Sequence, residues 1–298
     1  MFMWFIFALV SIFSWGTADL FYKKANKPDD DTSHLKTVIM VGLVMGLHAF
    51  YVLLTSSEPY RFVYILNYLP VSSMYILSMA IGYAGLRYIE LSIASPVQNT
   101  SGAITALLTF FFLGQKMTPL QFGAVFLISV GLVVLGILEN QDVDDQDLVD
   151  QKEVSRYRVG AVALVLPVLY ALVDALGTFF DAYFLTGIMT EQQANVSYEL
   201  TFFICAVLVF LYLIFVKKEK IQIRTQGDNL FAAGFETFVQ FFYVYAMAQN
   251  AVIVAPLISS YSMVSVLLSR IFLKEKLKKS QYLMITVILV GIVILGIE

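Results

Sequence analysis

Asp19, Asp174 and Glu236 are carboxylates set in stretches of chain that otherwise hold almost no charge. An ionisable side chain in a bilayer costs about 3 kcal/mol even on a lenient insertion scale, so each is a site candidate by position alone. Glu236 lies between Phe235 and Phe238, and Gln240 and Tyr243 follow at i+4 and i+7 on the same helical face. A carboxyl group there could hold a substrate amine, or take up and release a proton in transit; the plainer alternative is a neutral acid hydrogen-bonded between helices. Tyr170, Asp174, Gly177 and Asp181 share a second face, with Asp181 the weaker candidate. Asp19 is one turn from Lys23 and Lys24 and could instead reach the membrane interface. Glu199 reads as interfacial, and His48, with no second histidine nearby, as a residue of helix packing.

Uncharged groups add to this set. Pro96 to Gly102 reads PVQNTSG, and Gln98, Ser101, Thr105 and Thr109 form a stripe at spacings 3, 4 and 4. Small polar residues are ordinary helix-contact surfaces in lipid, so the serines and threonines read as packing. Gln98, Asn99 and Tyr261 are larger and better suited to contact a substrate. Trp15, Tyr83, Tyr170 and Tyr243 could form an aromatic cage near the acids. Such a mixture suits an amphipathic or zwitterionic solute, an amino acid among them. No arginine lies centrally, which disfavours a phosphorylated one. No histidine pair, nucleotide loop or acidic metal motif is present, so neither catalytic residues nor a cofactor or metal is expected. The single cysteine, Cys205, excludes an intramolecular disulfide and a cysteine metal cluster.

The elements that must position these groups follow from composition. The 298 residues are 59% hydrophobic and 14% charged, with mean hydropathy +0.78, whereas a soluble domain is about half apolar and a quarter charged. That excludes a soluble enzyme and a disordered scaffold, and a net charge of −3 leaves no basic footprint for nucleic acid. A membrane-crossing helix needs about 20 apolar residues. Runs of that kind predict ten spans: 3–22, 35–54, 68–88, 92–113, 119–138, 159–184, 195–216, 229–248, 252–273 and 280–297. The first lacks a basic flank and reads as a retained helix rather than a leader.

Seventeen lysines and arginines fall in the connections after spans 1, 3, 5, 7 and 9, against Arg61 and Lys116 on the other side. The positive-inside rule places the former in the cytoplasm and both termini outside. Residues 139–158 form an acidic cytoplasmic linker between halves 1–138 and 159–298. Its acids from Asp142 imitate a calcium loop, but Asp147 stands where that loop needs glycine, so a solvated linker is the reading kept.

An offset of 160 aligns 93–137 with 253–297 without a gap, with 15 identities in 45 positions. Pro96 matches Pro256, Lys116 matches Lys276, Gln121 matches Gln281, and Gly131 and Gly136 match Gly291 and Gly296. The counterparts of Glu236, Gln240 and Tyr243 are Ile76, Ala80 and Tyr83. A weaker correspondence at offset 155 pairs Asp19 with Asp174. Five spans per half mean that the second copy enters the membrane from the opposite side. Inverted repeats of this kind are the physical signature of alternating access around a site near the midplane.

Two five-helix units, each with proline in its fourth helix, a short basic turn and a glycine-bearing fifth helix, resemble the drug/metabolite transporter superfamily, and within it EamA-like carriers. The family's turn reads Gly-Glu-basic-apolar. Here the copies are Gly114-Gln115-Lys116-Met117 and Lys274-Glu275-Lys276-Leu277, with Gln for Glu in the first and Lys for Gly in the second. The resemblance implies an all-α polytopic membrane protein and a carrier of a small organic molecule, importer or exporter, without ATP or a prosthetic group. It implies a bacterial inner-membrane location, and leaves proton coupling and a homodimer open. A lipid-linked sugar flippase of the same superfamily is the alternative, and a membrane-embedded transferase a more distant one.

Overall fold

The computed structural model describes residues 3–146, 165–219, 225–275 and 278–297, and every regular element among them is helical. In the first half these are α1 (Met3–Ala25), α2 (Ser33–Thr55), α3 (Val63–Leu86), α4 (Leu91–Gln98), α5 (Ser101–Phe112) and α6 (Pro119–Gln146). The second half holds α7 (Val165–Leu185), α8 (Glu191–Leu211), α9 (Gly227–Ser259), α10 (Tyr261–Leu268) and α11 (Lys279–Ile297). Wider π turns continue α8 through Tyr212–Val216 and α10 through Ser269–Leu273. Among the described residues, six stretches are long and apolar enough to cross a membrane, with Pro119–Val134 and Lys279–Leu295 as shorter apolar helices. The outer surface carries Leu54, Phe111, Phe112 and Phe215, each at least 70% exposed, while Asp19, Asp181, Glu199 and Glu236 are buried. Apolar groups outside and ionisable groups inside are the arrangement of a polytopic membrane protein, in which lipid covers the outer face.

Three expected spans have a different form. The expected span 92–113 is broken at Asn99–Thr100 into α4 and α5. The expected spans 229–248 and 252–273 run on as α9, which bends at Asn250 (φ −163°, ψ 88°) and stops at Ser260 before α10. The two breaks are related by the repeat. Thr100 and Ser260 stand four residues after Pro96 and Pro256, and their amides reach back three residues, to the carbonyls of Val97 and Leu257, at 3.2 Å each. α6 continues to Gln146, into the segment expected to be linker; residues 147–158 of that linker and 159–164 of the second half lie outside the described residues.

Close approaches bind the halves together. A Cβ on Gly131 would lie 2.7 Å from Cγ1 of Ile288, and one on Gly291 would lie 2.7 Å from Cγ1 of Ile128. These are the same pair read in both directions at the 160 offset, the reciprocity of a two-fold relation. A Cβ on Gly102 would meet Ser259 Oγ at 2.1 Å and the Ala255 carbonyl at 2.8 Å, so α5 touches the α9 backbone directly. The two divergent turns also share one conformation: Gly114 has φ +63° and Lys274 φ +61°. A side chain in this left-handed region is strained where glycine is free, so the lysine occupies a position shaped for glycine.

Candidate functional site

Residues of α1, α3, α4, α5, α7, α8, α9 and α10 line a single cavity of about 90 Å³. A water needs roughly 10–15 Å³ of such space, so the cavity holds several waters or one small solute. Asp19, Asp174 and Glu236 all line it, as do Gln98, Asn99 and Gln240. Trp15, Tyr83, Tyr170, Tyr243 and Tyr261 line it as well. The eleven leading candidates from the sequence therefore meet in one place, although they come from six helices.

The local geometry explains how each is held. Glu236, 5% exposed on α9, accepts hydrogen bonds from Trp15 Nε1 at 2.9 Å and from the Tyr22 hydroxyl at 3.2 Å. Both donors sit on α1, so the carboxylate ties α9 to α1 across the cavity. Asp19 accepts from Ser95 Oγ at 2.6 Å on α4 and from Ser265 Oγ at 2.7 Å on α10. It does not turn to the interface; Lys23 points elsewhere, with Nζ donating to the carbonyls of Leu86 and Ile89 at 2.8 and 2.6 Å. Asp174 on α7 accepts a long bond from Ser78 Oγ at 3.4 Å and has Ser101 as a second hydroxyl partner. Asn99 donates to the Ser95 carbonyl at 2.9 Å, while Nε2 of Gln98 is buried without a partner.

The walls are aromatic. The Trp15 ring lies 5.0 Å from that of Tyr243 and 5.7 Å from that of Tyr261, and Tyr22 lies 4.6 Å from Tyr83. Offset and edge contacts of this kind fix flat surfaces for a bound ring. None of the described residues lining the cavity is lysine, arginine or histidine. Among the described residues no group of three His, Cys, Asp or Glu side chains is placed to hold a metal.

Some residues are placed otherwise than expected, and others were missed. Asp181 is fully buried and accepts from the hydroxyls of Tyr68 and Tyr75. Tyr75 in turn shares a 2.6 Å hydrogen bond with Tyr243, so a phenol chain links Asp181 to the cavity wall. Glu199, expected near the membrane interface, is fully buried within the protein, with Nδ1 of His48 at 2.8 and 2.9 Å from its two oxygens and Asn195 Nδ2 at 3.2 Å. A buried carboxylate persists because these partners replace water. Tyr22, Tyr75 and Ser95 carried no mark in the sequence, and Ser265, in the repeat-related stripe of Tyr261 and Ser269, read only as helix packing; each gains meaning through a partner on a distant helix.

Comparison with known proteins agrees with this architecture. The chain is similar over 58 residues, at 40% identity, to Purine permease 2 of Arabidopsis thaliana; the match covers 20% of this chain and only 16% of the permease. A solved structure described only as "Crystal structure of protein" shares the fold, with TM-score 0.66 and 13% identity over 99% of this chain and 96% of that one. The EamA-like transporter family matches the chain twice, over residues 2–137 and 162–297. Two matches that together cover nearly the whole of an all-helical membrane protein establish that this chain belongs to the EamA-like transporter family.

Proposed function

We propose that the protein is a secondary active transporter of a small organic solute and that the acidic, aromatic cavity is its binding site. One observation carries the reading: three carboxylates and an aromatic wall, drawn from both halves, converge on one small, largely buried space. In this reading ten membrane-crossing helices form two five-helix repeats, 1–138 and 159–298, inserted in opposite senses and joined by 139–158. The lysine and arginine distribution supports a cytoplasmic linker and termini outside, and the family resemblance is what suggests a bacterial inner-membrane location. The reciprocal glycine contacts and the paired breaks support two nearly equivalent arrangements of the halves, which alternating access requires.

The cavity narrows the solute class. An amino acid would bring a carboxylate into a space with three acids and no lysine, arginine or histidine among its described lining residues. A flat, nitrogen-rich base, neutral or cationic, fits better: its ring lies against Trp15 and Tyr261, its N–H groups donate to the carboxylates, and a ring acceptor takes the unpartnered Gln98 Nε2. The short similarity to a purine permease supports the same class. Glu236 and Asp174 are the residues that would hold the base or exchange a proton for it. Thermal unfolding of the purified protein across panels of nucleobases, aromatic amines and amino acids tests this. A ligand at 100 times its Kd stabilises by about 2.7 kcal/mol. Nucleobases or amines should raise the unfolding temperature, and hits must exchange across proteoliposomes. Stabilisation by amino acids alone would refute the narrower class, and absence of exchange by any binder would refute the carrier.

A further inference from the structure

Gln115 and Glu275 hold equivalent places in the two repeats, and each reaches into the other half. Oε1 of Gln115, in the turn after α5, accepts from the Val252 amide at 2.8 Å, two residues beyond the bend at Asn250. Glu275, in the turn after α10, accepts from the amides of Leu91 and Ser92 at 3.3 and 3.1 Å, in the first turn of α4. The 160 offset that maps Gln115 onto Glu275 also maps Ser92 onto Val252. First-turn amides have no acceptor within their own helix. Each half thus supplies the cap for the other half's cavity-lining helix, and in the inverted-repeat reading the two caps lie at opposite ends of the bundle.

The capped segments are the ones that carry the site. α4 brings Gln98 to the cavity, and 252–259 bring Ala255 and Ile258. Opening the cavity beside either turn requires parting that turn from the segment it caps. The ends are not equal. At one, the acceptor is a carboxylate facing a helix N-terminus, which strengthens the bond, and Lys23 adds its clasp on the carbonyls of Leu86 and Ile89. At the other, the acceptor is a neutral amide, and the nearby Asn250 Oδ1 is buried without a partner.

We infer that Gln115 and Glu275 are positioning residues that hold the two cavity helices shut at opposite ends, and that their difference in charge sets which end opens in the empty carrier. The inference rests on the alternating-access reading above. The Glu275 end is the tighter one, so the substrate-free protein rests open at the Gln115 end.

Spin-label distances test this in the full chain, in lipid nanodiscs, on a Cys205→Ser background. Labels at Tyr88 and Lys279 report the Glu275 end, and labels at Leu120 and Gln249 the Gln115 end. Without solute, the first pair should show one short distance and the second pair two. Glu275→Gln should raise the long-distance population of the first pair about fivefold, the effect of replacing a charge-assisted hydrogen bond by a neutral one. Gln115→Glu should close the second pair, and the double exchange should invert the pattern. Exchanges that move both pairs alike, or neither, overturn the latches. Distances that respond to a transported solute but ignore the exchanges would remove the latches and leave the carrier standing; single distances with and without solute would remove both. Should Glu275→Gln fail to fold, Gln115→Glu, which keeps an acceptor in place, decides the matter.

Discussion

Replacing Glu236 by glutamine separates its charge from its shape. Glu236 is 5% exposed, with Trp15 Nε1 donating at 2.9 Å to one oxygen and the Tyr22 hydroxyl donating at 3.2 Å to the other. In the Gln variant the amide oxygen still accepts from Trp15, and the amide NH₂ donates to the Tyr22 oxygen. Both contacts survive, so the unfolding free energy should change by no more than about 1 kcal/mol. Glu236→Ala, in contrast, leaves the Trp15 N–H facing an unfilled space and should cost about 1–3 kcal/mol. Function should follow the charge. If the carboxylate accepts from a solute N–H, its loss removes a charge-assisted bond and weakens binding about tenfold. If it exchanges a proton instead, solute exchange persists while uptake driven by an imposed pH gradient collapses. The assay is exchange and pH-driven uptake in proteoliposomes, with thermal unfolding of the same preparations. A Gln variant that binds, exchanges and accumulates solute like the parent protein would refute the assignment and leave Glu236 a helix tether.

Gly102→Ala should abolish transport or strongly destabilise the protein, because the new methyl group would stand 2.8 Å from the Ala255 carbonyl, a backbone atom that cannot turn aside; unchanged stability and uptake would show that α5 and α9 separate freely. Lys274→Gly should raise the unfolding free energy by about 1 kcal/mol, since it relieves a left-handed side chain at φ +61°; thermal or denaturant unfolding decides. Lys36 bridges Asp30 at 2.7 Å and Glu219 at 2.6 Å. Burial alone would raise Asp30, but Lys36 and Thr32 outweigh it and hold the carboxyl below the usual range, and Lys36 and Thr32 do the same to Glu219. Groups held low in the folded state contribute stability above their unfolded values near 4 and lose it as pH falls through the folded ones. The unfolding temperature should therefore decline below about pH 4, less steeply in Lys36→Met; the effect is small because both carboxylates are about a third exposed. Cysteine at Asp29 should react with an impermeant thiol reagent only from the cytoplasm, and cysteine at Ser57 only from outside; the reverse labelling would invert the topology.

Residue types carried the site further in the sequence than spacing carried the fold. Asp19, Asp174 and Glu236 stood out because a charge in an apolar run is costly wherever the helices turn out to pack. Their partners did not: Ser95 and Ser265 look like any small residue in lipid, and only the meeting of α4, α10 and α1 makes them donors to Asp19. The burial of Glu199 was hidden for the same reason, since its partner His48 is 151 residues away. Hydropathy located the apolar runs but could not see the breaks within them. Asn99–Thr100 and Ser260 lie in short polar stretches that a hydropathy window of about 20 residues averages into the apolar run around them, and the paired prolines signalled both breaks only once the structure showed where the amides bond. The departure of Lys274 from the family's glycine, unexplained in the sequence, becomes a conformational strain once its φ is known.

The lack of a basic side chain among the described residues of the cavity wall has an electrical consequence. Moving one elementary charge across a membrane potential of 100 mV is worth about 2.3 kcal/mol. A wall of carboxylates with no fixed positive charge can cross that field uncharged only if protons or a cationic solute neutralise it on the way. In the transporter proposed above, each such ion would enter the stoichiometry of the cycle, and the sign of the current would report how many carboxylates cross ionised. Voltage, as much as any concentration gradient, would then decide in which direction the solute moves.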